Sequence, residues 1–435
     1  MTSRTILVWF RNDLRIHDNE ILIEASLKSS EIVPVYIFDP RYYAETIYGT
    51  RKTGKHRTQF IIESVADLKR SFKKLGGDLL VLTGKPEEVL PQLVKEYHVD
   101  EVYHHREVAS EETDISSAVE DALWKSQVNL KHFIGHTLYH KEDLPFPIKD
   151  IPDLFSKFRK KVEREGEIRE PFQTPEEIVV PGNLAQSEVP VLKDLGFEED
   201  DLTVTDIKGG ETAGLQRLNA YLWESDSLRD YKAKRNLLTG FNRNSLLSPW
   251  LSLGCISPRK VYWELKRYER ERGGTDNINL LINELLFRDF FRFMFKKHST
   301  AYFVDTEQIA PLTSEQAVLF NKWRNSETGV DLVDANMLEL KHRGTMANKG
   351  RQTVASYLIN ELQLPWSYGA AYFEEMLLDY APASNWGNWA LLAGIGTPQK
   401  EINPSFNLDK QIKDSDPKGD YIKVWLSELT EFSKH

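Results

Sequence analysis

Apolar and β-branched residues gather in five short runs along the first third of the chain: Thr5 to Phe10, Ile32 to Phe38, Asp78 to Thr83, Glu101 to His105 and Leu130 to Ile134. Between them, near 18–29, 57–75, 86–98 and 111–127, apolar positions recur at helical spacing. This alternation predicts a doubly wound parallel α/β sheet, a design that collects its sites at the strand carboxyl ends. From about 136 to 205 the pattern lapses. Pro145, Pro147, Pro152, Pro171, Pro175, Pro181 and Pro190 punctuate a polar connector with one short helix at SKFRKKVER, 156–164. Beyond Asp206 the chain reads as helical, with periodicity at 212–223, 257–269, 276–296, 331–341, 349–361 and 369–379 and no internal repeat. The expected organisation is an α/β domain over 1–135, a linker over 136–205 and an all-α domain over 206–435.

Composition narrows the function classes. With 435 residues, 40% hydrophobic and 28% charged, the chain has ordinary globular usage. A single cysteine, Cys255, excludes an intrachain disulfide and any multi-cysteine metal centre. The apolar run before Arg11 is too short for a signal-peptide core, so a cytoplasmic location is expected. The uncharged stretch Tyr380 to Gln399 is interrupted by Pro382, Asn385, Gly387, Asn388 and Gly394, which argues against a membrane span and for a buried functional segment. A net charge of −10 repels polyphosphates, so a nucleic-acid site has to be a local basic groove. Clusters at Lys157 to Arg164, at Lys232, Lys234 and Arg235, and at Arg343, Lys349 and Arg351 read as solvated faces or as parts of such a groove.

The chemistry-bearing patterns each admit two readings. The first strand lacks a GxGxxG and no GxxxxGK[ST] occurs anywhere, which disfavours a dinucleotide or Walker site. In NRNSLLSPW, Asn244, Ser245 and Ser248 lead into a helix start, either as caps or as an anion site. Glu284, Phe287, Arg288 and Phe291 share a helix face, as a core stripe with an ion pair or as a platform for a planar ligand. Asn348, Arg351 and Gln352 share another. Asp379, Asn385 and Asn388 lie among Trp386, Gly387 and Trp389, and need either one another or a polar ligand. Trp323, Trp366 and Trp389 serve packing or electron relay.

VWFRNDLRIHDN at 8–19, TLYHKEDLPF at 137–146, YKAKRN at 231–236, SPWLSLGCISPR at 248–259, ELLFRDFFRF at 284–293, VDANMLEL at 333–340, MANKGRQTVASYL at 346–358, SNWGNW at 384–389 and GDYIKVWLSEL at 419–429 resemble the photolyase/cryptochrome family. The likeness runs from residue 5 to about 430 and is strongest to the cryptochrome DASH group. It implies an antenna-binding α/β domain and a helical domain holding FAD. It also implies blue-light electron transfer from reduced FAD to cyclobutane pyrimidine dimers, chiefly in single-stranded DNA, by a monomer that needs no membrane.

Residue by residue, the resemblance implies flavin-phosphate contacts at Tyr231, Asn244, Ser245, Leu247 and Ser248, and a flavin environment of Arg288, Asn348, Arg351, Asp379 and Asn385, with Asn385 facing flavin N5. Trp389, Trp366 and Trp323 match the proximal, middle and distal members of the photoreduction chain. Glu284 matches the carboxylate that contacts the damaged bases. Phe287, Lys349, Gln352 and Leu391 complete the substrate side. Glu107, in HHREVASEE, matches the acid that binds a 5,10-methenyltetrahydrofolate antenna.

Departures from the family pattern concentrate on the substrate side. Relatives have Trp at Phe287 and an aromatic at Leu391, and losing one stacking platform is worth about 1–3 kcal/mol. Ala381 replaces a second acid, Leu246 a basic residue and Lys349 an Arg, while Asn348 and Gln352 stand where (6-4) photolyases have His. A blue-light photoreceptor with weak repair is the alternative that these departures motivate. A dark flavin oxidoreductase is disfavoured by the absent nicotinamide fingerprint.

Overall fold

The computed structural model describes residues 4–198, 207–239, 244–299, 310–395 and 407–432. Its first third is a five-stranded parallel sheet of β1 (Thr5–Phe10), β2 (Glu31–Phe38), β3 (Leu80–Thr83), β4 (Glu101–His105) and β5 (Asn129–Phe133), in the order β3-β2-β1-β4-β5. Every residue of β1 is buried, as a central strand covered on both faces demands. Alternation along β1 divides the core. Ile6, Val8 and Phe10 pack with α1 (Glu20–Lys28) and α2 (Lys55–Lys74), whereas Leu7 and Trp9 pack with α3 (Pro86–Glu96) and α4 (Ser110–Trp124). The chain winds outward through β2 and β3, then crosses back to β4, so the topological switch lies between β1 and β4.

The linker carries one α-helix, α5 (Phe155–Glu165), whose Phe158 is fully buried. The helical part comprises α6 (Glu211–Asn219), α7 (Tyr231–Lys234), α8 (Ser248–Ser252), α9 (Pro258–Arg272), α10 (Thr275–His298), α11 (Ser314–Arg324), α12 (Asp331–Arg343), α13 (Asn348–Ser356), α14 (Trp366–Met376), α15 (Pro382–Leu392), α16 (Leu408–Ser415) and α17 (Asp420–Phe432). α6 and α13 each continue into a π-helical turn, at Ala220–Glu224 and Tyr357–Glu361.

Five of the described helices, α7, α11, α15, α16 and α17, escape the periodicity read from the sequence. α11 begins at a capping box between Thr313 and Gln316, and α15 fills the uncharged segment with Pro382 in its first turn. α14 starts at Trp366, earlier than the periodicity predicts, and stops at Met376, which leaves Asp379 in the loop before α15. Among the described residues no helix is long and apolar enough to cross a membrane.

Buried polar contacts lock the two parts together. Asp18 accepts from Arg259 at 2.6 and 3.0 Å, and Arg15 donates to the carbonyls of Gly254 at 2.8 Å and Gly135 at 3.1 Å. Gly254, at φ +64, lies so close to Asn12 that a Cβ would sit 2.0 Å from the Asn12 carbonyl oxygen. Any side chain there would wedge the helical part off the sheet.

Candidate functional site

The central face of α10 carries four of the predicted residues. Phe287 packs edge-on against Phe155 of the linker helix, with ring centroids 4.8 Å apart, and against Phe291 at 4.8 Å. Arg288 is committed to main-chain carbonyls, donating to His136 and, at 3.0 Å, to Leu251. Burial, with Arg292 alongside, pushes its guanidinium down to about 10. It therefore straps the linker to α8. Both of its terminal nitrogens thus have backbone partners.

Glu284 keeps 48% of its side chain exposed at the outer end of this face. The Tyr231 hydroxyl donates to its Oε1, and Arg235 Nη1 lies 3.5 Å from the same oxygen. Tyr231, expected on a phosphate, and Glu284, expected on a damaged base, thus close on each other.

The segment before α8 has the shape of an anion cradle. Leu246 adopts a left-handed φ of +54 and Leu247 follows in the right-handed helical region, a succession that turns consecutive amides towards one side. Arg217, which the sequence reading missed, holds this turn from beneath by donating to the carbonyls of Ser245 at 2.9 Å and Asn244 at 3.2 Å. The Asn244 Oδ1 is buried without a partner. Ser245 is buried and Ser248 exposed at the first position of α8.

Arg351, on α13, and Asp379 meet in a forked pair, Nη2 to Oδ1 and Oδ2 at 3.0 and 2.8 Å, while Arg351 Nε donates to the Met346 carbonyl at 2.9 Å. The carboxylate is buried and the guanidinium is 28% exposed, so positive charge faces outward. On the same helix Asn348 and Gln352 are exposed and Lys349 is half-buried. Asn385 is buried on α15, its Nδ2 donating to the Ala370 carbonyl at 2.9 Å. Neighbouring Gly387 lets α15 rest on α10, since a Cβ there would lie 2.3 Å from Phe291. Leu391, one turn on, is half-buried. The anion cradle and the outward cation at Arg351 fit a dinucleotide bearing phosphates and an electron-accepting ring, and the unpartnered Asn244 oxygen, an acceptor, suits a ligand hydroxyl.

The tryptophans do not fall in the expected order. Trp389 lies on α14 at Gly369, where a Cβ would be 2.3 Å from its ring, one turn from Trp366. Trp323 does not lie beyond Trp366. It packs edge-on to Trp389 with centroids 6.4 Å apart, is wholly buried, and donates Nε1 to the Val354 carbonyl at 3.1 Å. Its assignment as distal member is therefore corrected: a residue sealed from solvent cannot be refilled from outside. Trp366 instead touches Trp386, at 5.8 Å and 75°.

Glu107 is likewise enclosed. Asn12 Nδ2 donates to it at 2.9 Å, Arg292 Nη2 at 2.7 Å, and His136 Nε2 lies 3.3 Å away. The crevice beside it measures about 30 Å³. A cavity of about 460 Å³ opens instead at the carboxyl ends of β1 and β2, between the sheet and the helical part. Tyr42, Tyr43, Trp386 and Tyr380 line it, with Arg57 and Glu112 as buried polar groups. Arg57 Nη1 has no partner, and burial beside Glu107 pushes the Glu112 carboxyl up to about 8. Glu112 belongs to the same HHREVASEE segment as Glu107. The helical spacing of Ala109 to Glu112 at the start of α4 was the available signal.

The site thus combines a cavity at the carboxyl ends of β1 and β2, an anion cradle and the Arg351–Asp379 ion pair, and the chain belongs to the photolyase/cryptochrome family. The DNA photolyase model matches residues 6–176, and the FAD binding domain of DNA photolyase matches 281–435. Within the family it stands with cryptochrome DASH. The Gloeobacter violaceus cryptochrome DASH is 45% identical over 435 residues, covering 99% of this chain and 87% of that one. A Synechocystis cryptochrome structure superposes with a TM-score of 0.92 at 44% identity, covering 99% of this chain and 90% of that one. An archaeal photolyase from Sulfolobus tokodaii, described with two FAD molecules and a novel light-harvesting cofactor, superposes at 0.79 with 27% identity, covering 98% and 91%.

Proposed function

We propose that this chain holds FAD in its helical part and splits cyclobutane pyrimidine dimers in single-stranded DNA under blue light. The observation that carries the reading is Glu284, a carboxylate left half-exposed on α10 and fixed from behind by Tyr231 and Arg235. When bound, reduced FAD supplies the light-excited electron that opens the dimer. The chain's own groups bind and orient. The Leu246–Leu247 turn holds phosphate, Asn244 accepts from a ligand hydroxyl, Arg351 braced by Asp379 sets positive charge beside the ring, and Asn385 is held by the Ala370 carbonyl. Glu284 offers an acceptor to the extruded bases, and single strands are favoured because an unpaired base costs less to extrude.

Protein whose flavin is chemically reduced in the dark, illuminated with an oligonucleotide carrying one thymine dimer, tests this: repair above a dark control supports it. No repair, with flavin bound and photoreducible, establishes the photoreceptor reading. That reading draws on two observations: Phe287 is engaged by Phe155 and Phe291, and Leu391 has no aromatic face.

The 460 Å³ cavity is the place for a second, light-harvesting chromophore. A 5,10-methenyltetrahydrofolate held by Glu107 requires the Glu107–Arg292 pair to open. Loss of the antenna absorption band in Arg57→Ala but not in Glu107→Gln assigns the cavity, and the reverse assigns Glu107.

A further inference from the structure

Trp366 has two neighbours of consequence. One turn along α14 is Gly369, on which Trp389 rests. On its other side is Trp386, whose ring meets it in a T-shaped contact at 5.8 Å. Trp386 lines the large cavity, and its Nε1 donates to the Tyr380 hydroxyl at 3.3 Å. The same cavity is lined by Ile47, 72% exposed, so its mouth reaches the surface. Trp323, by contrast, is wholly buried. The path Trp389, Trp366, Trp386 therefore runs from the flavin side to an opening, whereas the path Trp389, Trp323 ends in the core.

We propose that Trp386 is the outer member of the electron relay. The inference rests on the flavin reading above. Bound oxidised flavin would supply a one-electron oxidant on excitation, and Trp389 and then Trp366 would carry the hole away from it. One electron then leaves the Trp386 indole and fills that hole, so Trp386 is oxidised and Trp366 restored. The indole proton stays on Nε1 in its bond to Tyr380. An external thiol at the cavity mouth returns the electron and loses its proton to solvent, and two thiyl radicals formed in this way couple into one disulfide.

The test uses holoprotein with oxidised flavin, blue light and external thiol, following loss of the oxidised-flavin absorbance per bound flavin. Trp386→Phe is expected to slow photoreduction about tenfold or more. Trp386→Tyr, which keeps an oxidisable ring, restores most of the rate. Trp124→Phe, at a site 74% exposed on α4, leaves it unchanged. A second readout is the light-induced paramagnetic spectrum, of tryptophan type in wild type and of tyrosine type in Trp386→Tyr. Wild-type rates in Trp386→Phe, equal slowing in Trp386→Phe and Trp124→Phe, or no rescue by Trp386→Tyr each overturn the proposal. Absence of photoreduction in wild type overturns the flavin reading as well, so the two failures are distinguishable.

Discussion

Glu107 and Glu112 share one amide. Asn12 Nδ2 donates to Glu107 Oε1 at 2.9 Å and to Glu112 Oε1 at 3.3 Å. Their proton affinities nevertheless diverge. His136, Arg292 and Arg11 hold Glu107 well below the usual carboxylate range despite its burial, while burial and the Glu107 charge push Glu112 up to about 8. One ordered amide thus bridges an ionised and a protonated carboxyl, between the domain-locking ion pair and the cavity wall.

The pair predicts opposite limbs of a stability profile. Glu107, depressed in the fold, contributes stability that is present above its ordinary value and lost as pH falls through the folded value. Glu112 is raised, so between about 4.5 and about 8 the unfolded state ionises and the folded state does not, and stability declines across that window. Glu112→Gln is expected to abolish that decline, a gain of at least about 1.4 kcal/mol at its alkaline end. Glu107→Gln flattens the acid limb and weakens the domain interface. Urea unfolding of both variants across pH checks the two signs.

Arg351 and Asp379 predict a flavin-retention effect. Both bonds to the carboxylate leave from the one Nη2, so Arg351→Lys keeps the charge and a contact with Asp379 but loses the Nε bond to the Met346 carbonyl that fixes where the cation sits. The flavin dissociation constant is expected to rise roughly tenfold, equal to about 1.4 kcal/mol. Equilibrium dialysis of released flavin measures it. An unchanged constant would detach this pair from the flavin.

Much of the fold was legible because β1 is apolar from Ile6 to Phe10 and the strands alternate with amphipathic helices, which fixed strand limits within about two residues. α15 was hidden because Asn385, Gly387 and Asn388 are poor helix formers and the helix is stabilised by contact with α10, a tertiary effect. The pairing of Arg351 with Asp379 follows from the resemblance. The closure of Tyr231 on Glu284 does not, since those residues come from separate helices and no spacing relates them. The cavity was invisible for the same reason: its walls come from β1, β2, α2, α4, α14 and α15. Trp323 misled because a sequence distinguishes neither a sealed indole from an exposed one nor the direction in which a ring points.

Trp323→Phe separates packing from relay. The substitution removes the bond to the Val354 carbonyl and part of a fully buried ring that stacks with Phe320 and Phe373, which is expected to cost about 1–3 kcal/mol of stability. Photoreduction per bound flavin should stay within about twofold of wild type if Trp323 only packs. Thermal melting and illumination of the same preparation give both numbers.

Leu391→Tyr bears on the substrate side. Leu391 is half-buried near the end of α15, one turn beyond the Gly387 that rests against Phe291 of α10. A leucine offers no π-face, and Phe287 already has Phe155 and Phe291 against its ring, so a flipped base finds little to stack on. Tyrosine supplies the platform and carries a hydroxyl that the half-exposed position leaves in water. A stacked base is worth about 1–3 kcal/mol, so affinity for a dimer-containing single strand should rise about tenfold or more, with affinity for undamaged strand little changed. Titration of both oligonucleotides by fluorescence anisotropy gives the ratio. Equal gains on both would mark Leu391 as part of a general single-strand surface, and no gain on either would place it outside the lesion pocket.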